Sequence, residues 1–345
     1  NCSLKGFIPE LVLTVGICAM FLYDVVKPGG GKRFYGIASL AVLGVALAAT
    51  LVGLFSLEAP QALFNGLIVL DPFGYFFKIL FCLATGVGAL LTIKSTETTD
   101  RGAAEFYALL IGTTLGMYVL ASSNDMLMLY LALELVSLTS YVLTGYRKGE
   151  RASSEAALKY VVYGGAASGA MLYGLSIIYG LTGATALPEI RDGLTAAAAA
   201  GGGLDMAALL GITFALAGFG YKISSVPFHM WAPDVYQGAP SPVTAFFSVG
   251  PKAAGFAALT RFFFVAFVDP SSWGNGGSLD VAGAIPWPVL VGIVAAFTMT
   301  VGNIAAIGQK DMKRLLAYSS IAHAGYMLLA FVSVSQQGLE GLCFY

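Results

Sequence analysis

Charge is scarce in this sequence. Asp, Glu, Lys and Arg make up 11% of the 345 residues, against about a quarter of a typical soluble domain. Net charge is −1, which argues against nucleic acid as a partner. Histidine occurs twice, at His229 and His323, and span parity puts the two at different depths, which leaves no axial pair for a haem. The four cysteines, Cys2, Cys18, Cys82 and Cys343, are scattered without C-x-x-C or metal-ligand spacing. They read as small hydrophobes, and no redox centre is expected in the chain. Phosphate-loop, dinucleotide and H-E-x-x-H zinc patterns are all missing, and no nucleophile stands with a base. What these absences leave is the movement of protons.

Apolar residues, by contrast, supply 57% of the chain, and mean hydropathy is +0.80. That is more apolar surface than a soluble core of this length can bury, so the chain reads as an all-α, polytopic membrane protein. A bilayer core about 30 Å thick needs about 20 apolar residues per helix. Ten such runs are predicted: Gly6 to Val26, Phe34 to Leu57, Pro72 to Lys94, Glu105 to Ala121, Met126 to Tyr146, Lys159 to Leu181, Met206 to Val226, Pro242 to Val268, Ile285 to Ile307 and Met312 to Val334. Strands are not expected, because the runs are long and lack the two-residue alternation of a membrane barrel. Glu10 and the length of the first run mark a retained span rather than a signal peptide.

Lys27, Lys32 and Arg33 follow the first run; Lys94 and Arg101, then Arg147, Lys148 and Arg151, and later Lys310, Lys313 and Arg314 occupy loops of the same parity. The opposite loops hold only Arg191, plus Lys5 at the start. Basic loops stay cytoplasmic, which puts the N-terminus on the non-cytoplasmic side. The segment His229 to Ser241 is cytoplasmic by parity yet has no Lys or Arg, so it is not expected to be an ordinary solvated turn. Leu194 to Asp205, "LTAAAAAGGGLD", reads as a flexible extra-cytoplasmic linker of low complexity. Asn1 in place of an initiator methionine, and a new apolar segment starting in "GLEGLCFY", lead us to expect a trimmed chain with further sequence beyond Tyr345.

An isolated charge at mid-membrane costs at least about 2.5–3.5 kcal/mol, so ionisable residues inside spans are functional candidates. Glu134 lies nine residues after Asp125 and twelve before Tyr146, close to the midplane. Lys222 precedes Pro227 by five residues in "FGYKISSVPFHMW". Proline removes an N–H and clashes with the preceding turn, and broken backbone at depth survives only where protein buries it or where it lines a wet cavity. Lys222 thus reads as an ammonium in a polar pocket with Ser224 and Ser225. Lys252 follows Gly250 and Pro251, which predicts a second interrupted helix carrying a mid-span lysine. His323, one turn after Ser319 and Ser320, suits a proton relay or hydrogen-bonded packing. Lys159 sits at a predicted span end and suits either role, while Lys78 and Arg261 read as cations snorkelling to the interface.

The segments "LALELVSLTSYVLTGY", "SSEAALKYVVYGGAASGAMLYG", "FGYKISSVPFHMWAPDVYQGAPSPVTAFFSVGPKAAGFA" and "GNIAAIGQKDMKRLLAYSSIAHAGYMLL" closely resemble the subunit N family of NADH-quinone oxidoreductase, respiratory complex I. The resemblance runs over most of the chain. It implies an antiporter-like bundle of inverted repeats with broken helices: N-terminal helices over 1–101, a first repeat over 102–268, and the start of a second over 269–345, incomplete here. It implies proton transfer by Glu134, Lys222 and Lys252, with Lys159 and His323 on the same polar chain. NADH, FMN, iron–sulfur clusters and quinone are then expected in other subunits, with none bound here. Partners implied are the antiporter-like and small subunits of the membrane arm, in a bacterial inner membrane. A subunit of a multisubunit cation/proton antiporter or a membrane-bound hydrogenase would share the Glu–Lys pair, and an inert scaffold of the membrane arm is the rival of another class.

Overall fold

The structure, a computed structural model, describes residues 2–27, 29–98, 102–199, 205–272, 279–281 and 285–345. In lipid every backbone N–H and C=O must find a partner within the chain, and the helix supplies one without leaving its own segment. Helices accordingly occupy all ten predicted runs. They are α2 (Ile8–Val26), α3 (Lys32–Phe55), α4 (Pro72–Lys94), α5 (Ala103–Ser122), α6 (Met126–Thr144), α7 (Arg151–Thr182), α9 (Asp205–Ile223), α11 (Ser241–Ala266), α12 (Trp287–Ile307) and α13 (Met312–Val332). Shorter helices are α1 (Cys2–Gly6), α8 (Leu187–Ala199), α10 (Trp231–Gly238) and α14 (Gln336–Phe344). Among the described residues nine helices are long and apolar enough to cross a membrane. The tenth long helix, α11, carries Pro251, Lys252 and Arg261 inside it and falls outside that set.

Local chemistry fixes several helix ends. Asp71 accepts from the Gly74 amide at 2.8 Å to cap α4, with Pro72 at the first helical position, where its missing N–H costs nothing. Asp311 caps α13 by accepting from the Arg314 amide at 3.0 Å. Within the helices, hydroxyls bond back to the preceding turn: Thr50 to the Ala46 carbonyl, Ser137 to Leu133, Ser140 to Val136. Each hydroxyl hydrogen thereby finds an acceptor within its own helix.

Contacts divide the chain into two units. One comprises Asn1–Asn124, Met128–Val161 and Val235–Ala257; the other comprises Asp125–Leu127, Val162–Asp234 and Ala258–Tyr345. In the first, α2 packs on α3 and α5, and α4 packs on α3 and α5. In the most apolar stretch of α5 78% of residues are buried, against 22% in α3, so α5 is the central post and most of that stretch of α3 is uncovered by the rest of the chain. In the second, α12 packs on α13 and touches α9, while Trp287 stacks on Phe263 with ring centres 4.4 Å apart.

Three expectations need correction. A two-stranded antiparallel hairpin, β1 (Gln61–Leu63) and β2 (Ile68–Leu70), joins α3 to α4, with Leu63, Ile68, Leu70 and Tyr75 forming a small buried cluster. It was invisible to a search for span-length runs, since three paired residues suffice where the backbone can also reach water. The linker "LTAAAAAGGGLD" begins as helix: Leu194 to Ala199 belong to α8, and Leu187, Ile190 and Leu194 are buried at helical spacing. Alanine is the strongest helix former, so the low-complexity run continues the helix; 200–204 lie outside the described residues. Finally, α7 starts at Arg151, so Lys159 sits in the interior of a helix and not at its end. The segment after His229 is α10, which is largely buried, as its lack of basic residues suggested.

Candidate functional site

In the second unit, α9 ends at Ile223, and Lys222 stands in its last turn with 3% of its surface exposed. The proline ring at 227 would clash with the carbonyl four residues back, which belongs to Ile223, the last helical residue. The backbone then turns at Ser224, whose φ is +62°. Freed groups find partners one by one. The Ser225 amide donates to the Gly220 carbonyl at 2.8 Å, the Val226 amide to Thr298 Oγ1 at 3.0 Å, and the Trp231 indole to the Tyr221 carbonyl at 3.0 Å. A helix C-terminus carries partial negative charge and favours a cation, and Lys222 stands at such an end. Ser224 Oγ is buried with no hydrogen-bond partner among the described residues. Chain resumes as α10, held by an ion pair from Asp234 to Arg314 at the start of α13. Asp234 was not singled out in the sequence, because an aspartate in a short polar segment has no signature of its own.

Glu134, Lys159, Lys252, Gly250 and Pro251 lie in the first unit. Glu134 Oε1 on α6 is buried and has no hydrogen-bond partner among the described residues. A buried acceptor left unbonded costs about 1–3 kcal/mol, more if charged. Lys252 is buried at 8% exposure. The expected break at Gly250 and Pro251 is absent: α11 runs unbroken from Ser241 to Ala266. Pro251 cannot bond the carbonyl of Phe247, four residues back, and the buried Tyr236 hydroxyl donates to that oxygen instead, at 3.4 Å. A borrowed donor from α10 thus repairs the ladder. Gly250 serves close packing, since a Cβ there would lie 3.0 Å from Phe246 and 3.3 Å from Met117.

Two candidates face outward. Lys159 is 39% exposed and pairs with Glu155 one turn away at 2.9 Å. His323, in the second unit, is exposed, with Nδ1 at the Tyr345 hydroxyl and its ring edge-on to Tyr326. Among the described residues no group of three His, Cys, Asp or Glu side chains could hold a metal ion.

Comparison with known proteins matches residues 123–345 to the family described as NADH:quinone oxidoreductase/Mrp antiporter, transmembrane. NADH-quinone oxidoreductase subunit N of Anaeromyxobacter sp. (strain Fw109-5) is 48% identical over 99% of this chain and 67% of its own length. The chain belongs to the NADH-quinone oxidoreductase subunit N family.

Other subunit N relatives agree. Subunit N 2 of Sorangium cellulosum is 46% identical over 99% of this chain and 68% of its own. A chain of respiratory complex I from Thermus thermophilus superposes with a TM-score of 0.75 at 34% identity, covering 98% of this chain and 66% of that one. The Mrp complex from Dietzia sp. shares the fold, with a TM-score of 0.79 at 22% identity. This chain therefore spans about two thirds of the length of its subunit N relatives.

Two cations, Lys78 and Arg261, were misread in the sequence. Lys78 does not snorkel: it is 1% exposed and lies 2.6 Å from Glu10, itself 0% exposed. Arg261 is likewise buried, at 5% exposure. A signal for the pair existed, because Glu10 and Lys78 fall in the first two turns of spans that enter from the same side, and so at similar depth.

Proposed function

We propose that this chain is a proton-translocating membrane subunit of NADH-quinone oxidoreductase, in which electron transfer from NADH to quinone in other subunits drives protons across the bilayer. The observation that carries the reading is Lys222: an ammonium 3% exposed, in the last turn of a helix that stops inside an apolar run. Desolvation disfavours its charge while the helix terminus favours it, so a modest change in surroundings shifts its proton. Glu134 and Lys252 are the other mid-span groups that take up and release protons, and Lys159 and His323 exchange them at the chain's surface. Residues 102–268 form the first antiporter-like repeat and 269–345 begin the second. NADH, FMN, iron–sulfur clusters and quinone belong to partner subunits, and this chain carries no redox centre. The excess of Lys and Arg in alternate loops supports a bacterial inner membrane orientation with the N-terminus outside the cytoplasm.

Membership of a cation/proton antiporter would use the same groups, and co-purification separates the two: peripheral iron–sulfur subunits for the oxidoreductase, membrane subunits alone for an antiporter. The test of proton transfer is Glu134→Gln and Lys222→Ala in the complete complex, reconstituted in vesicles. Each is expected to lower the protons moved per NADH oxidised. Assembled complexes that pump at the unaltered ratio would leave the chain a scaffold and refute the proposal.

A further inference from the structure

Helices α2 to α5 precede residue 123, where the family match begins, and they carry none of the groups proposed above to move protons. Glu10 Oε1 and Lys78 Nζ are 2.6 Å apart in the core of this helix group. The ammonium also lies 5.3 Å from the ring centre of Tyr75 and 5.8 Å from that of Tyr118. A pair so enclosed is worth little more than apolar side chains of the same volume, and ionisable residues within spans are rare and costly. Stability alone does not account for it.

Geometry supplies the rest. A cavity of about 430 Å³ opens at the end of the helices where α2 begins, lined by Lys5, Pro9, Gly53, Ser56, Leu70 and Tyr75 among others. Tyr75 lies between the cavity and the pair: its ring faces Lys78, and its hydroxyl lies against Gly53, where a Cβ would come within 2.6 Å of it. Away from the cavity, the buried face of α4 continues through Cys82, which donates to the Leu43 carbonyl at 3.2 Å, and Thr85, bonded to Thr114 at 2.7 Å. Gly88 and Ala89 come next on that face and offer no protonatable side chain. The groups facing the pair are Tyr75 and Tyr118, with Cys82 beside Tyr118; Asp71 acts on Tyr75, and Lys5 lines the cavity.

We propose that Glu10 and Lys78 form a proton-exchange site reached by water from this cavity through Tyr75, on the face opposite the basic loops. A proton passing from the ammonium to the carboxylate breaks an N–H bond and forms an O–H bond, leaving a neutral amine and acid. A proton arriving through the Tyr75 hydroxyl instead converts the carboxylate to the acid while Lys78 keeps its charge. Participation in pumping rests on the function proposed above; proton exchange at the pair does not.

Infrared difference spectra of the complete complex in vesicles test the site, with the Glu10 carboxyl band assigned by its loss in Glu10→Gln. The band is expected to change with external pH and to shift promptly in D2O, and Tyr75→Phe is expected to slow that shift several-fold. A band indifferent to pH and to D2O overturns the proposal, and if Glu10→Gln fails to assemble the band is assigned instead by its shift in Glu10→Asp. Protons per NADH should fall in Glu10→Gln, whereas a Glu10→Gln/Lys78→Met complex pumping at the unaltered ratio overturns the pair's part in pumping. Full pumping in Glu134→Gln beside a responsive Glu10 band would sink the Glu134 pathway and leave this site standing.

Discussion

Pro251 inside an unbroken helix gives a test of how the backbone is repaired. Proline in a helix interior ordinarily costs about 3 kcal/mol or more, partly through the lost bond to the carbonyl four residues back. Here that carbonyl, on Phe247, accepts from the Tyr236 hydroxyl, and both residues are at most 3% exposed. Tyr236→Phe removes the donor and strands a buried acceptor, worth about 1–3 kcal/mol. At 3.4 Å the bond is long, so a loss near the lower end, about 1 kcal/mol, is expected, or roughly a fivefold change in the folding equilibrium. Pro251→Ala restores an N–H that can reach Phe247, so in that background Tyr236→Phe should cost almost nothing. The assay is equilibrium unfolding of the full chain in bicelles, run on the four members of the cycle. Coupling of about 1 kcal/mol supports the repair; costs that add within about 0.3–0.5 kcal/mol, as for independent sites, refute it.

Packing and the helix break offer two further tests. Gly174→Ala on α7 should destabilise the chain by about 1–3 kcal/mol, because a Cβ there would lie 2.5 Å from both the Ala215 amide nitrogen and the Gly211 carbonyl oxygen of α9. Gly169→Ala on the same helix, with nothing within 4 Å, should be neutral or gain up to about 1 kcal/mol from helix propensity; equal losses at the two sites would contradict the close-approach argument. Thr298→Val takes the acceptor from the Val226 amide in the break after α9. Hydrogen exchange at Val226 should then quicken about fivefold for a loss near 1 kcal/mol, and an unchanged rate would mean that Thr298 does not hold the break.

Much of this architecture could be read along the chain because lipid imposes a one-dimensional rule. A span must be apolar for about 20 residues and helical throughout, so counting located all ten long helices, and Pro227 marked where α9 stops. Mid-span position also singled out Glu134, Lys222 and Lys252, each of which places a buried polar atom or side chain in the structure. The same counting failed at Pro251, where the outcome depends on whether a donor from another helix reaches the stranded carbonyl. It failed again at Lys78, whose distance from a span end suggests an interfacial cation until Glu10 is seen beside it. Lys159, read in sequence at a span end, and His323, read as relay or packing, both present substantial surface.

Sequence alone determined class, span number and the short roster of ionisable residues within spans, because the cost of charge and of unbonded backbone in lipid depends on position along one segment. Only tertiary structure decided which charges are paired, which proline interrupts its helix and which side chains turn outward. Those outcomes are contacts between segments distant in the chain, and periodicity within one segment carries no information about its neighbours.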